Sequence, residues 1–401
     1  MRLDLAALDA VTDAVASGAG LPEVVRAAAK ALEASMVLSD QTGQVVAVAA
    51  RSSADEQALL NGAEGVEALE LNVADEPVGT LRLRTRGEPD VVALRLITTI
   101  IASEVERLRA PERASAEASS AFLIGLLRRE LSDPAAVLDG AAALGVDVQG
   151  GATMLVVRVH AHVAGGDGRR ARALALVERG ARGVAPTAIA ALTERQELPG
   201  DEVLVLLPGA GEDEGTRAAD TVRRELESGL QGHSFTIGRS RPCTDPGELY
   251  RAASEALLAA NVAEGDAERP VLGFDETGAY RLLLSAMVED PGELQRFYAE
   301  TVEPLVAYDD QYETDLVATV EAFLEADGNV AGTAQRLFTH RHTVRYRLER
   351  VRELSGLDVG STDGRERLSL GLKAMRVLGI VHRGGPASEA GAAGGRVPRP
   401  R

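Results

Sequence analysis

Apolar residues recur at helical spacing through Asp315–Leu357, and the spacing predicts three short helices. The first carries Leu316, Val320, Phe323 and Leu324 at i, i+4, i+7 and i+8. Gly328 follows its last apolar turn as a C-cap, and Asn329 is an N-cap for the next helix. The second helix repeats the stripe with Val330, Ala334, Leu337 and Phe338, Ala334 being small enough to let another helix cross closely. After a turn at Thr339–His340, the third buries Val344, Leu348 and Val351. At 100° per residue His342, Tyr346 and Glu349 point away from that stripe, with Arg345 on one flank and Thr343 and Arg350 on the other. Two helices joined by a short turn, the second with a polar and cationic outer face, predict a helix-turn-helix.

The rest of the chain alternates helix and strand patterns. Over residues 1–110, Ala6–Ala34 has helical spacing, and Ser35–Leu38 with Gln44–Ala49 reads as a hairpin around Ser39–Gly43. Leu69–Val73 and Val78–Leu83 give further strands around Asp75, Glu76 and Pro77. Val91–Leu108 places Leu94, Ile97, Ile101, Val105 and Leu108 on one side of a helix. A connector over 111–150 begins at Pro111, where the helix is expected to break or restart. It then presents Phe122, Leu123, Leu126 and Leu127 as one apolar face, ahead of Ala141–Val148. Residues 151–275 read as α/β. Met154–Val159, Glu202–Leu207 and Phe235–Gly238 are strands; Arg169–Arg179, Asp213–Gly229 and Gly247–Val262 are helices. Residues 276–380 form a helical domain containing the helix-turn-helix at 315–357. The stretch 381–401 is rich in Gly, Ala and Pro, lacks periodicity and is expected to be disordered. The expected fold is multidomain, two α/β domains followed by an all-α bundle.

Charge sharpens the picture at one place. The 401-residue chain carries a formal charge of −18, yet Arg336, Arg341, Arg345, Arg347, Arg350 and Arg352 face a single acid, Glu349, between 336 and 352. An acidic chain has no general affinity for polyanions, so this block needs a local reason. A solvated charged face would interleave both signs, and this one does not. Double-stranded DNA is the expected partner, with His340, Arg341, His342, Thr343, Arg345, Tyr346 and Arg347 as its contacts. Cys243 is the only cysteine, which excludes an intrachain disulfide and cysteine metal clusters. No apolar run reaches membrane-spanning length and the N-terminus has no signal-peptide pattern, so a cytoplasmic protein is expected. His160 and His162 share one face of a strand, but two ligands without a third are not a metal site. No nucleophile elbow, P-loop or Rossmann fingerprint occurs, and neither a catalytic residue nor a cofactor is assigned.

The run TAQRLFTHRHTVRYRLERVRELSGLDV closely resembles the C-terminal helix-turn-helix of PucR/CdaR-type bacterial transcriptional regulators. The likeness rests on Leu337, Phe338, His340, Arg341, Thr343, Val344, Arg345, Tyr346, Arg347 and Leu348, with Leu357 and Asp358 trailing. The family usually has Asn where this chain has His342, and histidine cannot make the bidentate adenine contact of Asn. The segment AFLIGLLRRELSDPAAVLDGAAALGVDV resembles the lead-in helices of the same proteins. The order of elements over 1–110 resembles a GAF domain, which implies small-molecule sensing; a domain used only for dimerisation is the alternative. Leu198–Pro208 resembles the GGDEF hairpin of diguanylate cyclases. A cyclase would use Asp201 and Glu202 on magnesium and Gly200 near phosphate. Pro199 replaces the first glycine, Val203 the phenylalanine, and the strand Val156–His162 lacks the acids of a hard-cation site. The resemblance therefore implies a degenerate, non-catalytic GGDEF-like domain. Together these readings imply a sequence-specific, dimeric transcriptional regulator that binds an inverted repeat and responds to a small-molecule effector. The alternatives are a nucleotide-binding or cyclase enzyme, and a pure dimerisation scaffold.

Overall fold

The computed structural model describes residues 5–40, 43–74, 76–85, 87, 90–161, 168–193, 201–209, 211–266 and 268–380. Leu198, Pro199 and Gly200 of the GGDEF-like hairpin, His162, and the stretch 381–401 lie outside the described residues. The chain divides into two compact units, residues 1–121 with 161–176, and residues 122–160 with 177–401.

The first unit opens with α1 (Leu5–Ala16), α2 (Leu21–Ala31), β1 (Ala34–Ser39), β2 (Val45–Ala49), α3 (Ser53–Asn61), β3 (Glu67–Val73) and β4 (Glu76–Thr85). The long helix α4 (Val91–Leu127) follows. The four strands form an antiparallel sheet in the order β2-β1-β4-β3. Met36 and Leu38 lie opposite Leu83 and Leu81 in the register, and all four are buried. They share one core with Val24, Val25 and Ala28 of α2 and Ile97, Ile101 and Val105 of α4. The expected helix break at Pro111 does not occur, because α4 runs through it. Proline removes a single amide donor, and a helix of 37 residues carries that local loss.

Along the chain come α5 (Pro134–Ala143), β5 (Ala152–Ala161), α6 (Arg169–Arg182), β6 (Ile189–Thr193), β7 (Asp201–Pro208), α7 (Glu212–Gly229), β8 (His233–Arg239), α8 (Leu249–Glu264) and β9 (Val271–Gly273). The sheet order is β6-β7-β5-β8-β9, with β7 antiparallel to both β5 and β6. Met154–Val157 and Val203–Leu207 are fully buried, as expected of unbroken apolar runs covered on both faces. β8 lies directly on α8. A Cβ on Gly238 would sit 2.2 Å from the Ala256 carbonyl oxygen and the Ala260 nitrogen, so only glycine fits.

The C-terminal bundle comprises α9 (Leu284–Glu289), α10 (Pro291–Thr301), α11 (Glu303–Tyr312), α12 (Leu316–Glu325), α13 (Val330–Arg336), α14 (Arg341–Ser355) and α15 (Thr362–Val377). Its core is continuous with the middle of the chain: Leu258, Val262 and Ala263 of α8 join Val320, Phe323, Ala334, Val344, Leu348, Val351, Leu368 and Leu372 in one cluster. A buried polar contact crosses the same seam, where the Asn261 side-chain amide donates to the Val377 carbonyl at 2.6 Å.

Candidate nucleic-acid interface

Two helix ends shape the helix-turn-helix. Asp327 and Gly328 terminate α12 with left-handed backbone, and the Gly328 N–H donates to the Phe323 carbonyl. Asn329 then caps α13, its Oδ1 accepting from the amides of Ala331 (2.9 Å) and Gly332 (3.3 Å). At the far end of α13, the Thr339 N–H donates to the Ala334 carbonyl at 2.9 Å and the Phe338 N–H to the Gln335 carbonyl at 3.3 Å. That pair of bonds is a Schellman ending, and Phe338 stands at its left-handed position with φ 48°. The ring is 92% exposed rather than part of the buried stripe expected from the spacing. The helix stops at Arg336, and the left-handed residue swings the side chain off the face on which Ala334 is buried.

His340 opens α14 as its N-cap, accepting from the His342 amide through Nδ1, and the two imidazoles stack at 5.1 Å. Val344, Leu348 and Val351 are buried, so the opposite side of the helix is the outer face. Arg341, His342, Arg345 and Tyr346 are exposed on α14, Tyr346 at 69%, and Thr343 is half-buried. Three of the six arginines are engaged within the chain. Arg336 pairs with Glu325, and Arg350 pairs with Glu353 while its guanidinium sits 4.6 Å above the Tyr308 ring. Arg347 turns inward: Nη2 donates to Asp315 Oδ2 at 2.7 Å and Nη1 to Thr319 Oγ1 at 3.2 Å. Its side chain is 20% exposed and that of Asp315 18%. Among the described residues no carboxylate pairs with Arg341, Arg345 or Arg352. The structure therefore groups His340, Arg341, His342, Arg345 and Tyr346 on the open side and assigns Arg347 to the joint between α12 and α14. The signal for that was in the sequence, since Arg347 lies three residues after Val344 and four before Val351, on the buried flank.

At the second candidate site, in the GGDEF-like hairpin, Glu202 is engaged by other residues of the chain. Arg158 on β5 lies directly opposite Glu202 on β7. Its side chain is 2% exposed; Nε donates to Glu202 Oε2 at 2.7 Å, Nη1 to Glu264 Oε2 and Nη2 to Asn261 Oδ1. The second oxygen of Glu202 accepts from Thr193 Oγ1 at 2.9 Å. Both oxygens that would ligate a cation are thus already bonded, and a guanidinium supplies the positive charge. His160 Nε2 stands 3.3 Å from the other oxygen of Glu264.

Residues 316–374 match the PucR C-terminal helix-turn-helix domain and residues 128–262 match the GGDEF-like domain. Both matched domains make the chain similar to regulators of the PucR/CdaR type. The chain is 32% identical over 148 residues to the purine catabolism regulatory protein of Bacillus subtilis, covering 36% of this chain and 27% of that protein. It is 28% identical over 130 residues to the proline-responsive transcriptional activator PutR of the same organism, covering 32% and 31%. The chain thus matches less than a third of the length of these first relatives. The carbohydrate diacid regulator of Escherichia coli is 26% identical over 323 residues, covering 76% of this chain and 78% of that protein. Among the described residues no helix is long and apolar enough to cross a membrane.

Proposed function

We propose that this chain is a sequence-specific, DNA-binding transcriptional regulator whose recognition helix is α14. The observation that carries the reading is the outer face of α14: Arg341 and Arg345 stand exposed, with no carboxylate among the described residues paired to them, beside His340, His342, Thr343 and Tyr346. The side chains of Arg341 and Arg345 suit phosphate or guanine, and Thr343 and Tyr346 add hydrogen bonds. Arg347 serves this face indirectly by fixing the angle between α12 and α14. One helix-turn-helix buries little DNA surface, so the working form is a homodimer on an inverted repeat with recognition helices about 34–36 Å apart, or a multiple of that. The domain scheme is a GAF-like sensor over 1–110, a connector over 111–150, a GGDEF-like domain over 151–275 and a DNA-binding domain over 276–380. The first of these receives a small-molecule effector, in a protein that works in the cytoplasm.

The middle domain acts as a non-catalytic module. The Arg158–Glu202 pair supports this, because a magnesium ion at Glu202 would have to displace a buried guanidinium held by three partners. The test takes full-length protein and a pool of random 30-base-pair duplexes. Rounds of selection should enrich an inverted repeat, Arg345→Ala should weaken binding to it, and GTP should not turn over. Absence of enrichment by folded protein, or GTP turnover that Glu202→Gln abolishes, would overturn the reading.

A further inference from the structure

We propose that Phe338 is a DNA contact, an apolar side chain delivered by the turn of the helix-turn-helix to thymine methyl groups beside the recognition helix. The inference rests on the proposed DNA-binding function and adds a residue outside its polar contact set.

Neither the turn nor the core accounts for phenylalanine here. The left-handed position of a Schellman ending is ordinarily glycine, sometimes asparagine, because a Cβ is strained there. The other non-glycine residues with positive φ among the described residues are Glu33, Ala74, Arg129, Glu313 and Asp327, none of them a bulky hydrophobe. The ring is also the most exposed of the large hydrophobic side chains described, ahead of Leu282 at 84%. The chain therefore holds an aromatic ring in strained backbone, and the described residues leave it 92% exposed.

Its place selects the occupant. Phe338 lies two residues before the N-cap His340, so it precedes the end of α14 that enters the major groove in a helix-turn-helix. The neighbouring open face is cationic and polar: Arg341 and Arg345 without acid partners, the stacked His340 and His342, and Tyr346. A protein partner would call for a contiguous apolar patch. A lone ring among cations suits a duplex, where the thymine C5-methyl is an apolar feature on the floor of a polar groove and phenylalanine is one of the side chains that meets it.

The experiment uses full-length protein with Phe338→Asn and Phe338→Gly, residues that accept φ 48° and should melt at or above the wild-type temperature. The probes are the duplex that wild-type protein enriches from random 30-mers, and the same duplex with deoxyuridine replacing thymine, which lacks the methyl group. Wild type should bind the deoxyuridine duplex several-fold more weakly. Both variants should bind the thymine duplex about tenfold more weakly than wild type, with little further loss on deoxyuridine. The slope of affinity against salt should be unchanged, since no phosphate contact is removed. Wild-type affinity in both variants would overturn the proposal. So would a change in sedimentation mass with DNA affinity intact, which would assign the ring to a protein contact. Failure of wild-type protein to enrich any duplex would instead sink the DNA-binding reading, and this inference with it.

Discussion

Replacing Arg347 with alanine should loosen the helix-turn-helix while leaving the electrostatics of DNA binding almost untouched. Arg347 holds Asp315 at 2.7 Å and Thr319 at 3.2 Å, across the joint between α12 and α14. An exposed ion pair contributes about 0–1 kcal/mol, and a hydrogen bond to a charged group about 1.5–3 kcal/mol. With both side chains about four-fifths covered, this pair falls between those limits. Among the described residues Asp315 Oδ1 has no hydrogen-bond partner, so Arg347 is the charged partner of this partly buried carboxylate. Truncation would leave that carboxylate uncompensated and strip the arginine stem from the joint, a loss of about 2 kcal/mol in all. Hydrogen exchange of the α12 and α14 amides, with urea titration, reads that loss. A double-mutant cycle with Asp315→Asn should return a coupling of about 1–2 kcal/mol. In parallel, log Kd against log salt should keep its slope in Arg347→Ala and fall by about 0.9 in Arg345→Ala if Arg345 touches one phosphate. A slope lowered by a full unit in Arg347→Ala, with amide protection unchanged, would refute the assignment and return Arg347 to the duplex.

Arg158→Met should destabilise the middle domain by about 3–5 kcal/mol, because Glu202 and Glu264 would lose the buried guanidinium that pairs with both. Thermal melting would show it, and adding Glu202→Met should recover part of the loss. Asn329→Ala removes the acceptor of two amides at the start of α13 and should cost about 1 kcal/mol, read as faster exchange at Ala331 and Gly332. Burial, aided by Glu303 and Asp310, pushes the Tyr298 phenol up to about 12. The folded state then holds its proton between pH 10 and 12 while the unfolded chain releases it. Stability should be complete below pH 10 and decline through that window, and Tyr298→Phe should flatten the decline in urea midpoints measured against pH.

The legible parts of this chain were those whose periodicity spans several turns or a whole strand. The stripe Val344, Leu348 and Val351 of α14 and the apolar run Val203–Leu207 of β7 are buried as their spacing required. Asn329 and Gly328 also punctuate the helices where their chemistry suggested. Phe338 misled because it continues the 100° pattern beyond the residue at which the helix stops, and a single left-handed residue cancels the pattern. β6 went unread, since Ile189–Thr193 is short and alanine-rich and carries no alternation of its own. At the candidate sites, Arg341, Arg345 and Tyr346 stand exposed as the pattern indicated. The spacing that puts Arg347 on the buried flank does not name its partner: Arg347 meets Asp315 across 32 residues, and Arg158 meets Glu202 across 44. Both reverse the suggestion of local charge alone, one taking a cation off the open face and the other placing a cation where a metal was considered.

The seam between α8 and α15 bears on how the protein is made. Asn261 must wait for Val377, its partner 116 residues later in the chain. At about 5–20 residues per second, the ribosome needs roughly 6–23 s to supply it. Throughout that interval Leu258, Val262 and Ala263 lack α15, which completes the cluster they join in the finished fold. The middle domain is thus born with an apolar face open to water and to neighbouring nascent chains. Synonymous codons that slow translation between α8 and α15 should lengthen that exposure and send more of the product to aggregates, without altering a single residue.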